Sequence, residues 1–361
     1  MLRPSMQSTD KLRTAIIGAA GYTGIELVRI VHAHPRLELC MVAARDRAGK
    51  RLSEVVPTTL GVKGLGERIL ESFDPADAGK LKERADVAFL ALPHATSARV
   101  GKALYDAGLR VVDLSADFRL RDRAVYEKTY GEHAAPELLS RAVYGQPELH
   151  RDELSGARLI AAPGCYPTSA ILPLAPLLQA KLVDPSFIVI DSKSGVSGAG
   201  RTPGPAYHLP EAAEGLRPYK VAGEHRHVSE IEQELTRAAG AEIRVVFTPQ
   251  LAPMTRGILT VAYARAVPGV SADACRAAAA KAYASGLVTV LDAGVLPDTL
   301  WVRGSARALV AYALDERNNA IVAMCAIDNL ARGASTQAVQ ALNVAMGWPD
   351  ALGLPELGTF P

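Results

Sequence analysis

The sequence predicts an α/β protein: a doubly wound parallel sheet followed by an α+β half with a mixed, largely antiparallel sheet. Three observations carry that expectation. Apolar runs of strand length alternate with helical periods across residues 12–162. A glycine-rich turn joins the first run to the first helical period. From about residue 187 onward, strand-like runs outnumber helices. Alternating β and α units build parallel sheets, whereas an excess of strands builds antiparallel or mixed ones.

The first dozen residues are polar and read as a frayed lead. Residues 12–17 form an apolar run ending in Gly18, residues 25–31 have a helical period stopped by Pro35, and residues 37–43 form the next strand. Residues 87–92 are a buried strand ended by Pro93. Residues 97–107 are a helix with Gly108 just beyond it. Residues 111–114 and 159–162 complete this half. The uncharged stretch 159–180 carries Pro163, Pro167, Pro173 and Pro176, so it reads as a loop and a buried, bent helix rather than a membrane span. In the second half, 187–191, 243–250, 257–266, 309–314 and 321–327 are strand-like. Residues 228–239 and 272–285 are helical, and a last helix covers 334–345.

A length of 361 residues fits about two domains. With 49% hydrophobic and 22% charged residues, the chain is globular rather than disordered. Forty basic residues against 38 acidic leave a net charge of +2, which offers no broad attraction for nucleic acid or membrane. Cys40, Cys165, Cys275 and Cys325 lie far apart without a CxxC pair. That argues against a disulfide framework or structural zinc and for a reducing, cytoplasmic setting. The start has no secretory h-region.

Gly18-Ala19-Ala20-Gly21-Tyr22-Thr23-Gly24 is a GxxGxxG turn between a strand and a helix. Glycines there let backbone approach a pyrophosphate, and the helix N-terminus faces its charge, which is a Rossmann-type dinucleotide signature. The second strand ends Ala43-Ala44-Arg45, with no acid for a ribose diol. Arg45 suits a 2′-phosphate and hence NADP(H), although Asp46 beside it can pair with that charge.

Cys165 lies between a strand end and a helix expected to begin near Pro167. Ligands bind at that edge of an α/β sheet, and the helix dipole favours a thiolate. A thiolate nucleophile needs an acid/base partner. His225 and His227 precede a helix, and Glu230, three residues after His227, can stand beside that imidazole. An HxH pair can also ligate metal, but no third ligand is evident and no metal is assigned. The loop 191–201 is rich in glycine, hydroxyls and cations and reads either as an anion site or as a bare connection.

Together these segments resemble the N-acetyl-γ-glutamyl-phosphate reductases over nearly the whole chain. The motifs are GAAGYTGIEL at Gly18, LPH at Leu92, DLSADFRL at Asp113, AVYGQPEL at Ala142, PGCYPT at Pro163, SKSGVSGAGR at Ser192, HRHVSEIEQEL at His225, PMTRGIL at Pro253 and AIDNLARGA at Ala326. The resemblance implies a glyceraldehyde-phosphate/aspartate-semialdehyde dehydrogenase-like architecture. It has an NADP-binding Rossmann domain at 1–164, a catalytic and dimerisation domain at 165–328, and a segment at 329–361 returning to the first domain. It implies Cys165 as nucleophile, His227 as acid/base oriented by Glu230, and NADPH as reductant. Gly18, Ala20, Gly21, Tyr22, Thr23, Gly24, Arg45, Leu92, Pro93, His94, Ser197, Gly198 and Asn329 are then expected at the cofactor. Arg119, Lys193, Arg201, His225 and Arg226 are expected at the substrate and its phosphate. Expected partners are the small-molecule substrate, phosphate, and other copies of the chain as a homodimer or homotetramer. Reduction of an aminoadipyl phosphate is the alternative chemistry, and a non-catalytic NADP-binding sensor is the alternative of another class. Aspartate-semialdehyde dehydrogenase itself has a different cysteine motif.

Overall fold

The computed structural model describes residues 11–202, 204–283 and 286–361. Nearly all of the frayed lead, and the end of the helix expected over 272–285, lie outside the described residues. The first half is a six-stranded sheet of β1 (Leu12–Ile17), β2 (Leu37–Ala43), β3 (Val87–Leu90), β4 (Arg110–Asp113), β5 (Val143–Tyr144) and β6 (Leu159–Ala161). Its order is β2-β1-β3-β4-β6-β5, and every pair is parallel. The helices are α1 (Tyr22–Ala33), α2 (Leu52–Val55), α3 (Ala78–Arg84), α4 (Ser97–Asp106), α5 (Arg123–Tyr130) and α6 (Pro147–Leu154). β1 and β3 are apolar almost throughout because helices cover both sheet faces. The sequence pattern misses β5, whose two residues are too few to show a period.

The second half holds α7 (Cys165–Gln179), β7 (Val183–Gly195), α8 (Leu209–Ala212), β8 (Arg217–Pro218), α9 (Val228–Ala239), β9 (Val245–Ala252), β10 (Ile258–Ala266), α10 (Ala272–Ala282), β11 (Val288–Val290), β12 (Ala308–Asp315), β13 (Ala320–Ile327) and α11 (Thr336–Ala345). Seven strands form a mixed sheet in the order β11-β12-β13-β10-β7-β9-β8. β7 runs through the segment expected to be a loop from residue 191. Alternation explains it: Ser192 and Ser194 point inward, and the Ser192 and Ser169 hydroxyls each meet the Thr260 hydroxyl at 2.7 Å. A hydroxyl ladder thus replaces apolar packing between α7, β7 and β10, so polarity does not end the strand.

α7 is buried on nearly every side, at the junction of the two halves. It starts at Cys165, two residues before the expected start, and contains Pro173 and Pro176. A proline at position 176 frees the Leu172 carbonyl, and the Tyr283 hydroxyl donates to it at 2.6 Å. α7, α9 and α10 cover one sheet face. The opposite face carries exposed Phe187, Val246 and Tyr263. The chain then returns: a π-turn at Ala331–Ser335 leads into α11, whose Ala338, Val339 and Leu342 pack with Leu27 and Val31 of α1. Arg256 ties the halves further by pairing with Glu26 of α1 and with Asp328. Among the described residues, no helix is long and apolar enough to cross a membrane.

Candidate active site

The glycine turn is shaped by close backbone approach. Gly18 has φ +98°, and a Cβ on it would stand 2.2 Å from the Ala91 carbonyl oxygen. A Cβ on Gly24 would stand 2.1 Å from the Gly18 carbonyl oxygen. The Gly18 and Ala19 N–H groups donate to the Ala43 carbonyl, folding the turn onto the end of β2. The N-cap Gly21 supplies no side-chain cap, and the first turn of α1 has no acidic residue. Its N–H groups therefore remain available to an anion, and the cradle fits a dinucleotide pyrophosphate. Arg45 and Asp46, each 90% exposed, stand beyond β2 with 3.9 Å between their charged groups.

The LPH segment leaves the C-terminal edge of β3, so Leu92, Pro93 and His94 border the same crevice. The Ala116 N–H donates to His94 Nδ1, and the Ala95 N–H donates to Asp117. Burial, with Arg226 and Arg119 nearby, pushes the His94 imidazole down to about 3. Asn329 joins this region from the far end of the chain. It accepts from the Gly257 N–H at 2.7 Å and donates to the Ser197 hydroxyl at 3.0 Å, holding the turn that carries Ser197 and Gly198.

Cys165 is the first residue of α7, with Gly164 as N-cap. A Cβ on Gly164 would stand 2.7 Å from His227 Nε2 and 3.0 Å from Arg119 Nη1, so only glycine admits the imidazole here. On the other side Gly333 of the π-turn faces the cysteine: a Cβ on it would stand 2.8 Å from Cys165 Cβ. Burial pushes the thiol up to about 11, although the Tyr166 N–H and Arg119 pull the other way. Burial outweighs the expected helix-dipole activation. Burial, and then His225 and Arg119, hold His227 well below the ordinary imidazole range. The resting pair is thus a thiol beside a neutral imidazole.

The expectation that Glu230 orients His227 does not hold. The buried Glu230 carboxylate accepts from the Gly164 N–H at 2.8 Å, the Tyr144 hydroxyl at 2.8 Å and Arg119 Nη1 at 3.2 Å. His227 Nδ1 is buried and, among the described residues, has no hydrogen-bond partner. One helical turn does separate His227 from Glu230, but the carboxylate turns to the cap of α7, where three donors converge. Glu230 is therefore a positioning residue.

The expected substrate residues separate. Arg119 is 5% exposed and donates to the Ala162 carbonyl, the Leu114 carbonyl and Glu230, which leaves it a scaffold role. Lys193 alternates to the open sheet face, away from Cys165, and pairs with Asp191. Arg201 lies across the cofactor turn instead, donating to the Ala20 carbonyl at 3.0 Å and the Val55 carbonyl at 3.1 Å. His225 is enclosed by Tyr166, Tyr219 and Phe247, and its Nδ1 accepts from the His227 N–H. Arg226 alone is exposed beside His227. Sequence reasoning missed Tyr144, Asp117, Tyr130 and Gly333. Of these, only Gly333 had a local signal, a glycine set just before a helix.

Residues 13–157 match the family model described as "Semialdehyde dehydrogenase, NAD binding domain". Residues 165–329 match "Semialdehyde dehydrogenase, dimerisation domain". The N-acetyl-gamma-glutamyl-phosphate reductase of Syntrophobacter fumaroxidans is 47% identical over 345 residues, covering 96% of this chain and 98% of its own length. That of Geotalea daltonii is 46% identical over 351 residues, covering 97% and 100%. Among solved structures, aspartate semialdehyde dehydrogenase II from Vibrio cholerae is similar with a TM-score of 0.70 at 17% identity, covering 94% of this chain and 99% of that one. Aspartate semialdehyde dehydrogenase with NADP from Candida albicans gives 0.67 at 16% identity, covering 95% and 100%. At such identities the two structures speak for the fold, which is the class expected from sequence. Near full-length likeness to the reductases, with both halves matched by semialdehyde dehydrogenase domains, shows that the chain is an NAD(P)-dependent oxidoreductase and belongs to the N-acetyl-gamma-glutamyl-phosphate reductase family.

Proposed function

We propose that the chain reduces N-acetyl-γ-glutamyl phosphate to N-acetylglutamate semialdehyde and phosphate, using NADPH and a thioester on Cys165. The observation that carries this reading is Cys165 opening a buried helix with His227 Nε2 seated over the glycine before it. In the first step Cys165 Sγ bonds to the acyl carbon and the carbon–oxygen bond to phosphate breaks. The thiol proton passes through His227 to the departing phosphate. The nicotinamide cofactor, when bound, supplies the hydride. The thiohemiacetal oxyanion left by hydride addition collapses to aldehyde and thiolate, and a proton taken up from solvent through His227 restores the thiol. The Cys165 N–H at the helix start serves the carbonyl oxyanion, where one such donor is worth about 3–4 kcal/mol.

Residues 1–164 would bind nucleotide, 165–328 would carry catalysis and self-association, and 329–361 would return to the first domain. Arg45 would meet the 2′-phosphate. Gly18, Ala20, Gly21, Tyr22, Thr23 and Gly24 would cradle the pyrophosphate. The segments Leu92–His94 and Ser197–Gly198, with Asn329 behind them, would border the nicotinamide end. The apolar sheet face with Phe187, Val246 and Tyr263 supports self-association as a homodimer or homotetramer. The test is the reverse reaction with purified protein, N-acetylglutamate semialdehyde, phosphate and NADP. Phosphate-dependent NADPH formation is expected, with at least a thousandfold loss of turnover in Cys165→Ser. Undiminished turnover in that variant refutes the thioester.

A further inference from the structure

Arg226 is the one expected substrate cation with an exposed side chain beside His227 and, among the described residues, no hydrogen bond or ion pair. Its guanidinium carbon lies 6.0 Å from the centre of the Tyr130 ring. The Tyr130 and His94 rings are 5.5 Å apart. His94 Nδ1 is occupied by the Ala116 N–H, so the neutral ring carries its proton on Nε2 and is a donor there. The Tyr130 hydroxyl makes no hydrogen bond among the described residues. The backbone also fixes Arg226 between two constrained neighbours, His225 and His227, whose rings are 4.9 Å apart. A guanidinium, an imidazole N–H and a phenol thus gather beside His227, and among the described residues no carboxylate pairs with the cation. That donor set matches a phosphate dianion, whose oxygens accept from a planar guanidinium in pairs.

We propose that Arg226, Tyr130 and His94 form the subsite for the phosphoryl group, which holds the acyl phosphate before attack and the inorganic phosphate after it. This rests on the function proposed above. The consequence is substrate-assisted activation of the thiol. At rest, thiol and imidazole are both uncharged. A dianion seated on Arg226 favours the imidazolium form of His227, so binding itself draws the proton from Cys165 Sγ. When sulfur displaces the phosphate oxygen, that proton returns to the oxygen and the phosphate leaves as the monohydrogen anion. The substrate's own carboxylate is the other anion that could use these donors, and the two are separable.

The experiment compares wild type with Arg226→Gln, Arg226→Lys and Tyr130→Phe in the reverse reaction. The KM for phosphate is expected to rise at least tenfold in Arg226→Gln and about threefold in Tyr130→Phe. The KM for the aldehyde should stay within twofold, and Arg226→Lys should recover part of the loss. A second arm uses neither cofactor nor aldehyde: because the seated dianion draws the thiol proton, inorganic phosphate is expected to quicken alkylation of Cys165 by iodoacetamide in wild type and not in Arg226→Gln. An unchanged phosphate KM, or an aldehyde KM that rises in its place, overturns the assignment, as does slowed alkylation in wild type or an acceleration that persists in Arg226→Gln. If wild type shows no phosphate-dependent turnover, the proposed reaction falls, and the alkylation arm decides the subsite by itself.

Discussion

Two helices of this chain begin alike and are built on different grounds. α1 and α7 both start at the carboxyl edge of the first sheet, and both have a glycine N-cap, Gly21 and Gly164, without a side-chain cap. At α1 the glycines answer to neighbouring backbone: Gly24 meets Gly18, and Gly18 meets Ala91. At α7 the glycine answers to side chains remote in sequence, His227 from the second half and Arg119 from the first. The Gly164 N–H is held by Glu230, 66 residues away. The first start leaves its N–H groups open to a ligand. The second places its cap in a buried polar network and offers a thiol. A helix N-terminus is thus left open to an anion or closed into a polar network according to what covers it.

The sharpest test of that contrast is a paired addition of one methyl group. Gly24→Ala would drive a carbon into backbone that cannot yield, costing on the order of 3 kcal/mol, and is expected to abolish nucleotide binding by fluorescence titration. Gly164→Ala pushes His227 aside, and a displacement of about 1 Å at reacting groups costs roughly a hundredfold in kcat. Nucleotide affinity should be retained. Equal loss of nucleotide binding in both variants breaks the comparison.

The buried cap network comes next. Glu230→Gln leaves Arg119 uncompensated, and breaking a buried pair costs about 3–5 kcal/mol. Urea unfolding should show that loss. Because the Glu230 charge also holds the thiol up, Cys165 alkylation at pH 8 should quicken in the folded variant. Unchanged stability would mean that Glu230 does not clamp α7. The smallest effect belongs to the solvated tip of β2. Arg45→Ala should raise the KM for NADP about threefold to tenfold and leave NAD alone, since an exposed charge contributes about 1 kcal/mol or little more. An equal change for both cofactors would detach Arg45 from the 2′-phosphate.

The same contrast explains what was legible in the sequence. The glycine turn could be read because its reasons are local, and Cys165 because a cysteine between a strand end and a helix start has few other uses. Strand alternation was readable where side chains were apolar. It was lost at Ser192 and Ser194, whose inward partners, Thr260 and the Gly195 carbonyl, are remote in sequence or backbone. The i,i+3 spacing of His227 and Glu230 suggested a contact that tertiary structure overrules, because Gly164, Tyr144 and Arg119 offer three donors at once. Lys193 and His225 were misplaced for the same reason: composition shows a cation or an imidazole, but only the sheet and the aromatic enclosure decide where it points.

The approach of Gly333 to Cys165 has a consequence for synthesis. The residue that walls Cys165 is made 168 positions after it, and α11 must dock on α1 to bring it there. On the ribosome, a nascent chain that has completed both sheets still has a thiol without its roof. The surroundings of the thiol are complete only once residues 331–345 have emerged, so a chain released before them would lack this wall, however well its glycine turn had folded.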